Sequence, residues 1–337
     1  MSVLFTGTDK PLDIIPVGRV AIDFNPTDMN RPLSESANFN KYLGGSPANI
    51  AVGMARFGRR VGFLGKVSDD SFGDFVTRYF QNEGIDCSHI TRCRNGEKLG
   101  LTFTEIKSPT ESSILMYREG AADLMLHPDD VDEGYVASSR ALLISGTSLC
   151  TGPTREAALK ALAFAGKNGV TVIFDADYRA YTWKNKDEIA IYTSLVAEKA
   201  DIVLGSREEF DLMERLTGLD GTDEASAAYW LARQPQILVI KHGKAGSRCY
   251  SRAGNYLVRP FPVNAMKGFG GGDGYASAFL HGLMAGRALA DALEMGSASA
   301  AMLVASHACS RDMPTEEALM RFIREKKAQC GDVVTPL

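Results

Sequence analysis

The sequence predicts a doubly wound α/β fold, a mostly parallel sheet flanked by helices, and three observations carry that prediction. Short β-branched or apolar runs alternate with longer amphipathic runs along a chain of 337 residues, the pattern of parallel strands joined by crossover helices. Two glycine-rich turns each stop where a helix is expected to begin. Two extended, polar stretches interrupt the alternation and belong to a different element.

In chain order, residues 13–17 read as the first strand, with Ile14, Ile15 and Val17 supplying its β-branched residues. Residues 19–42 are polar and free of helical periodicity. Residues 47–57 read as a helix, because Pro47 suits a first turn and Ile50, Met54 and Phe57 follow at helical spacing. A strand at 61–64 and a helix at 72–83 come next. Residues 99–105 place Leu99, Leu101 and Phe103 on one face and Gly100, Thr102 and Thr104 on the other, and 112–118 continue extended after Ser108 and Pro109, which is a hairpin pattern. Strands at 142–145, 170–174, 202–204 and 237–240 then alternate with helices at 154–168, 188–198, 208–216 and 223–233, so ligands are expected at the carboxyl ends of the strands. After the second glycine turn, Ala276, Phe279, Leu280 and Leu283 share one helical face, and another helix is expected at 291–303. The whole chain, 1–337, is read as one domain from which segments 19–43 and 97–119 join as a small β-sheet lid.

With 37 basic and 41 acidic residues interspersed, a net charge of −4 and a pI near 5.8, the chain carries no electrostatic footprint for nucleic acid or an anionic membrane. Small-molecule partners are expected instead. The six cysteines lack paired spacing and read as reduced thiols, and the five histidines show no zinc-ligand spacing. Residues 1–10 lack a basic start and apolar core, and a cytoplasmic location is expected.

Gly270, Gly271 and Gly272 let backbone amides converge without Cβ obstruction at the positive end of a helix, which makes an anion cradle. Asp273 sits on its rim, placing a proton-accepting carboxylate beside a seat for a migrating phosphoryl group. The alternative is a flexible turn with Asp273 as an ordinary helix cap. At the other turn, Gly44 and Gly45 precede Ser46, Pro47, Ala48 and Asn49, where backbone approaches a ligand closely and the Asn49 amide offers both donor and acceptor to a polyol. A helix entry with a capping role is the alternative there.

The two turns, in this order and at this distance, resemble the signatures of the ribokinase-like, or PfkB, carbohydrate kinase family, and the resemblance spans nearly the whole chain. The N-terminal signature stands as Gly44 to Asn49 followed by Ala51, and the C-terminal one as Gly270-Gly271-Gly272-Asp273. Two departures stand out: Gly271 where relatives usually have alanine, and Gly274 where they have Ser or Thr. Longer runs, among them Gly18-Arg19 with Ile22-Asp23, Asn30-Arg31-Pro32, Tyr42 to Asn49, Phe103 to Pro109, Ser113 to Glu119, Tyr178-Arg179 with Tyr181 to Asn185, Lys241-His242-Gly243 and Asp312 to Thr315, are similar within the family to kinases of keto-deoxy sugar acids.

That resemblance implies that ATP gives its γ-phosphoryl group to a primary hydroxyl, with Asp273 taking the proton and the amides of Gly270, Gly271 and Gly272 holding charge. It implies sugar binding by Asp23, Gly44, Gly45 and Asn49, and carboxylate binding by Arg118 and Arg179, whose alternative is surface pairing with Glu119 or Asp177. It implies that Lys241, Gly243 and Gly246 pass under the nucleotide and that His307 closes the adenine pocket. Glu208 is implied to organise Mg²⁺ through water, although Gly205 replaces the usual Asn and helix capping is an equal alternative. Relatives in some cases hold a monovalent cation such as K⁺ by backbone carbonyls near His307, Cys309 and Ser310, and often form homodimers through lid elements. A neutral-sugar kinase would not need the arginines, and a non-catalytic sensor is the alternative that the Gly274 departure raises.

Overall fold

A computed structural model describes residues 4–108 and 111–337, so the opening residues 1–3 and Pro109 of the expected hairpin turn lie outside the described residues. Strand β1 (Leu12–Val17) is followed by β2 (Ala21–Pro26), β3 (Phe39–Gly44), helix α1 (Ser46–Arg56), β4 (Gly65–Val67), α2 (Ser71–Asn82), β5 (Ile90–Arg92), β6 (Gly100–Ile106) and β7 (Ser112–Tyr117). The chain continues through α3 (Glu133–Ala137), β8 (Ser139–Ser145), α4 (Thr154–Lys167), β9 (Thr171–Asp175), α5 (Lys186–Ala197), β10 (Ile202–Ser206) and α6 (Arg207–Met213). Then come α7 (Asp223–Leu231), β11 (Ile237–Lys241), β12 (Ser247–Ser251), β13 (Tyr256–Val258), α8 (Gly271–Met284), α9 (Leu289–Val304), α10 (Glu316–Cys330) and β14 (Val334–Pro336).

Eight strands form the large sheet in the order β1-β8-β9-β10-β11-β12-β13-β14. The first five run parallel and the last three antiparallel. Successive side chains of the parallel strands enter opposite cores: Ile14, Leu143, Ile173 and Val239 pack with α1, α8 and α9, whereas Ile15, Leu142, Val172 and Leu238 pack with α4, α6 and α7. Period-2 alternation with both faces buried explains why each strand reads as a continuous apolar run.

The strand expected at 61–64 is only partly realised. This segment runs beside β1 with isolated bridges Ile14 to Val61 and Val17 to Leu64, and Leu64 N–H donates to the Pro16 carbonyl at 3.1 Å. Pro16 has no N–H to return, so the ladder breaks there.

A separate four-stranded sheet, ordered β3-β2-β6-β7, draws its strands from the two stretches that interrupt the α/β alternation. Its faces invert the hydrophobic-inside pattern. Thr102 and Thr104 of β6 are buried, with Thr104 Oγ1 donating to Asn25 Oδ1 at 2.9 Å. On the opposite face Phe24 stacks on Phe103 at 5.1 Å, and Leu115 and Tyr117 are exposed. Polar residues therefore line the buried side of this sheet, where Asn25 Nδ2 also donates to the His307 carbonyl at 2.7 Å. Among the described residues, no helix is long and apolar enough to cross a membrane.

Candidate active site

The start of α1 and the start of α8 meet at Asp273. Ser46 Oγ donates to Asp273 Oδ1 at 2.7 Å and Asn49 Nδ2 donates to Oδ2 at 2.7 Å. Both glycine turns are shaped for this closeness. Gly45 has φ +101° and lies against the Arg19 carbonyl, and a side chain on Gly44 would run into the Asp23 carboxylate. Gly270, at φ +84°, is the N-cap of α8 and supplies no side chain to cap it, so the first-turn amides of Gly271, Gly272 and Asp273 are left for a ligand.

Charged groups from the ends of β9 and β11 surround this point. Lys241 Nζ lies 3.5 Å from Asp175 Oδ1 and 3.6 Å from where a Cβ on Gly272 would sit. Burial raises the pKa of Asp273, and Asp177 raises it further, while the Asn49 and Ser46 hydrogen bonds and Arg179 pull it back. Asp175 is likewise pushed up by burial against the pull of Lys241. Burial alone would lower the Lys241 pKa, but Asp175, Glu209, Asp273 and Asp177 together outweigh it, so the ammonium stays charged beneath the cradle. Asp175, Asp177, Glu209 and Asp273 around one buried lysine make a cluster of perturbed titratable groups, the kind of grouping that marks a functional site.

Asp23 projects from β2 toward Gly44, its pKa raised by burial and opposed by Arg19 and a hydrogen bond from Thr102. Arg19 belongs to a cluster of three guanidinium groups, with Arg118 and Arg179, that all act on the phenol of the exposed Tyr181. They differ sharply in pairing. Arg118 is ion-paired to Asp123 at 2.6 Å, with both side chains buried, and also donates to the Thr147 carbonyl at 2.8 Å. Arg179 pairs with Asp177 at 2.8 Å. Arg19, only 4% exposed, donates to Thr102 Oγ1 at 2.8 Å, makes no close ion pair among the described residues although Asp23 and Asp123 act on it from further away, and keeps a buried Nε without any partner.

Several sequence-nominated residues have other surroundings than expected. Arg118 has Asp123, not Glu119, as its partner and anchors the end of β7 to the large domain, so most of its donors are spent. Glu208 is exposed on α6, and it is the next residue that turns to the site. Glu209 Oε1 accepts from Tyr178 N at 2.8 Å and Oε2 from Ser206 N at 2.6 Å, because Ser206 and Glu209 form a capping box. The spacing Ser-x-x-Glu was a legible signal for that register. His307 uses both ring nitrogens on the small sheet: Nε2 donates to the Pro26 carbonyl at 2.8 Å and Nδ1 accepts from the Tyr42 hydroxyl at 3.0 Å. Gly243 and Gly246, with φ +56° and +95°, shape the turn after β11 beside Lys241. Ser46, Arg19 and Glu209 were not nominated, and each touches the site.

Among the described residues, no three His, Cys, Asp or Glu side chains converge to hold a metal ion. The donor set suits a divalent ion that arrives on phosphate oxygens and keeps water ligands, with Glu209 as the nearer carboxylate on α6.

The sequence pattern of the pfkB family carbohydrate kinases matches residues 12–316. The 5-dehydro-2-deoxygluconokinase of Clostridium perfringens is 64% identical over 326 residues, covering 96% of this chain and 96% of that protein. The enzyme of the same name from Geobacillus kaustophilus is 50% identical over 328 residues, covering 97% and 98%. A double-mutant fructokinase from Vibrio cholerae O395, solved in fructose, ADP and potassium ion bound form, shares the fold with a TM-score of 0.78 at 22% identity, covering 93% of this chain and 99% of that one. With a family match over nearly its full length and a meeting of the two glycine turns around one carboxylate, the chain belongs to the pfkB family of carbohydrate kinases.

Proposed function

We propose that this kinase is a 5-dehydro-2-deoxygluconokinase, transferring the γ-phosphoryl group of ATP to the 6-hydroxyl of 5-dehydro-2-deoxy-D-gluconate in myo-inositol catabolism. The observation that carries the reading is Asp273, pinned between the two glycine turns by Ser46 and Asn49. In the step, the hydroxyl oxygen bonds to the γ-phosphorus, the bridging bond to ADP breaks with its electron pair leaving on ADP, and the hydroxyl proton passes to Asp273. A pKa raised by burial and Asp177 makes Asp273 a stronger base than a solvated aspartate. The amides at Gly271 and Gly272 and the Lys241 ammonium stabilise charge on the phosphoryl oxygens. Mg²⁺, carried in on the phosphates, would supply further charge neutralisation there, with Glu209 organising its water.

Asp23, Gly44, Gly45 and Asn49 form the sugar side, with Asp23 accepting from substrate hydroxyls. The substrate carboxylate falls to the arginine cluster. Because Asp123 and Asp177 already form close ion pairs with Arg118 and Arg179, the substrate carboxylate is assigned to Arg19, which makes no ion pair among the described residues and keeps a buried Nε free. The small sheet serves as a lid over the sugar, and its outward face, with Phe103, Leu115 and Tyr117, supports pairing with a second copy. A cytoplasmic location belongs to the same reading, supported by six free cysteines.

The test is a side-by-side turnover panel of 5-dehydro-2-deoxy-D-gluconate, 2-dehydro-3-deoxygluconate and fructose with ATP and Mg²⁺. The first should give the highest kcat/KM. A preference for either of the other two would reassign the substrate, and ATP binding without turnover of any would favour a sensor.

A further inference from the structure

Lys267 is among the largest fully buried side chains of the molecule, 1% exposed, and it lies three residues before the N-cap of the phosphate cradle. A lysine ammonium is seldom buried without a carboxylate. Here Nζ donates to the Ala308 carbonyl at 2.7 Å and to Cys309 Sγ at 3.4 Å, and among the described residues it has no ion pair. Burial pushes the Cys309 thiol up to about 12, so the sulfur is a neutral neighbour. Asp23 and Asp312 feel that charge only from a distance. The ammonium also lies 3.6 Å from where a Cβ on Gly270 would sit, against the turn that leads into α8.

This is the neighbourhood in which backbone carbonyls near His307, Cys309 and Ser310 were expected to hold a monovalent cation. The residues present do not fit one. The His307 carbonyl accepts from Asn25 Nδ2 at 2.7 Å, and the Ala308 carbonyl accepts from Lys267 and from Ser306 Oγ at 3.0 Å. Asp312 N–H donates to the Cys309 carbonyl at 3.2 Å and Met313 N–H to that of Ser310 at 3.4 Å. Every carbonyl from 307 to 310 is engaged, and a fixed positive charge already stands among them. A second cation would meet repulsion from that ammonium, and the Ala308 carbonyl, which already accepts two hydrogen bonds, has no lone pair left for it.

We infer that Lys267 is a built-in monovalent cation: its ammonium ties the cradle loop to the 308–309 backbone and supplies beneath the phosphate seat the charge that a bound K⁺ would otherwise provide, making this kinase indifferent to K⁺. An ammonium and K⁺ share charge and similar size, and both are satisfied by carbonyl oxygens, so the exchange conserves the electrostatics while removing the need for an ion. Lys267 is a positioning residue and does not touch the substrate.

The test uses the full-length enzyme with K⁺-free nucleotide at constant ionic strength, comparing KCl, NH₄Cl, methylammonium chloride and tetramethylammonium chloride. Wild-type turnover should be the same in all four salts, and its melting temperature should not respond to K⁺. Lys267→Ala should lose turnover and regain much of it in K⁺, NH₄⁺ or methylammonium, none of it in tetramethylammonium, with K⁺ now raising its melting temperature. Lys267→Met, which keeps bulk and removes charge, should lose turnover without rescue. Strong activation of the wild type by K⁺ would overturn the inference, whether or not the variants fold. So would a Lys267→Ala enzyme that turns over normally, or one whose loss no small cation repairs.

Discussion

Ser46 Oγ donates to Asp273 Oδ1 at 2.7 Å, across 227 residues of chain, and thereby couples the start of α1 to the start of α8. With Asn49 holding the other oxygen, the plane of the carboxylate is set, and each oxygen retains a lone pair for a substrate hydroxyl.

The two neighbours of Asp273 act on its proton affinity with opposite signs. Asp177 raises its pKa and the Ser46 bond lowers it. Catalysis needs the ionised form, so the acidic limb of the kcat/KM profile follows the Asp273 pKa. Asp177→Asn should move that limb to lower pH, and Ser46→Ala should move it to higher pH. Measured pH profiles in which both variants shift the limb the same way would contradict the arrangement.

Arg19 and Arg118 should separate under substitution. Arg19→Gln is expected to cut kcat/KM for the sugar acid by about ten- to a hundredfold, the worth of one charge-assisted hydrogen bond, while slow turnover of a neutral hexose is unchanged. Arg118→Gln leaves Asp123 buried and unpaired, which costs about 3–5 kcal/mol of stability, so its signature is a lower melting temperature instead of a substrate-selective loss. A carboxylate-selective defect in Arg118→Gln alone would reverse the assignment.

The Gly274 departure has a packing cause. A Cβ there would come within 2.7 Å of Leu303 Cδ1 and 3.1 Å of the Ser299 carbonyl on α9. Restoring the hydroxyl by Gly274→Ser should therefore destabilise the fold by about 1–3 kcal/mol, as overpacking does, without raising turnover. Gly166, exposed on α4 with open space around it, is the control: Gly166→Ala should stabilise by about 0.5–1 kcal/mol. Denaturant midpoints compare the two.

The parallel strands were legible because burial on both faces leaves mostly apolar residues in their middles, and α1, α4 and α8 because glycine or proline marks their starts. Strands β12, β13 and β14 were missed: Arg248, Tyr256 and Thr335 interrupt short antiparallel strands at one end of the sheet, and the pairing of β13 with β14 depends on distant segments. The small sheet was partly legible, yet its polar face is the inner one, since Thr102 and Thr104 serve Arg19 and Asn25. At the site, both glycine turns and Asp273 could be nominated from local pattern. The pairing of Arg179 with Asp177, two residues away, was among the alternatives, whereas that of Arg118 with Asp123 instead of the adjacent Glu119 was not, because it depends on how the chain turns after β7. Likewise Lys267 reads as an ordinary basic residue until the fold buries it.

The most direct test is Asp273→Asn assayed with 5-dehydro-2-deoxy-D-gluconate, ATP and Mg²⁺, beside calorimetric titration of the nucleotide. Removal of a general base should lower kcat by about a hundred- to ten-thousandfold while ATP affinity stays close to that of the wild type. Turnover near the wild-type rate in that variant would show that the carboxylate between Ser46 and Asn49 does not take the hydroxyl proton.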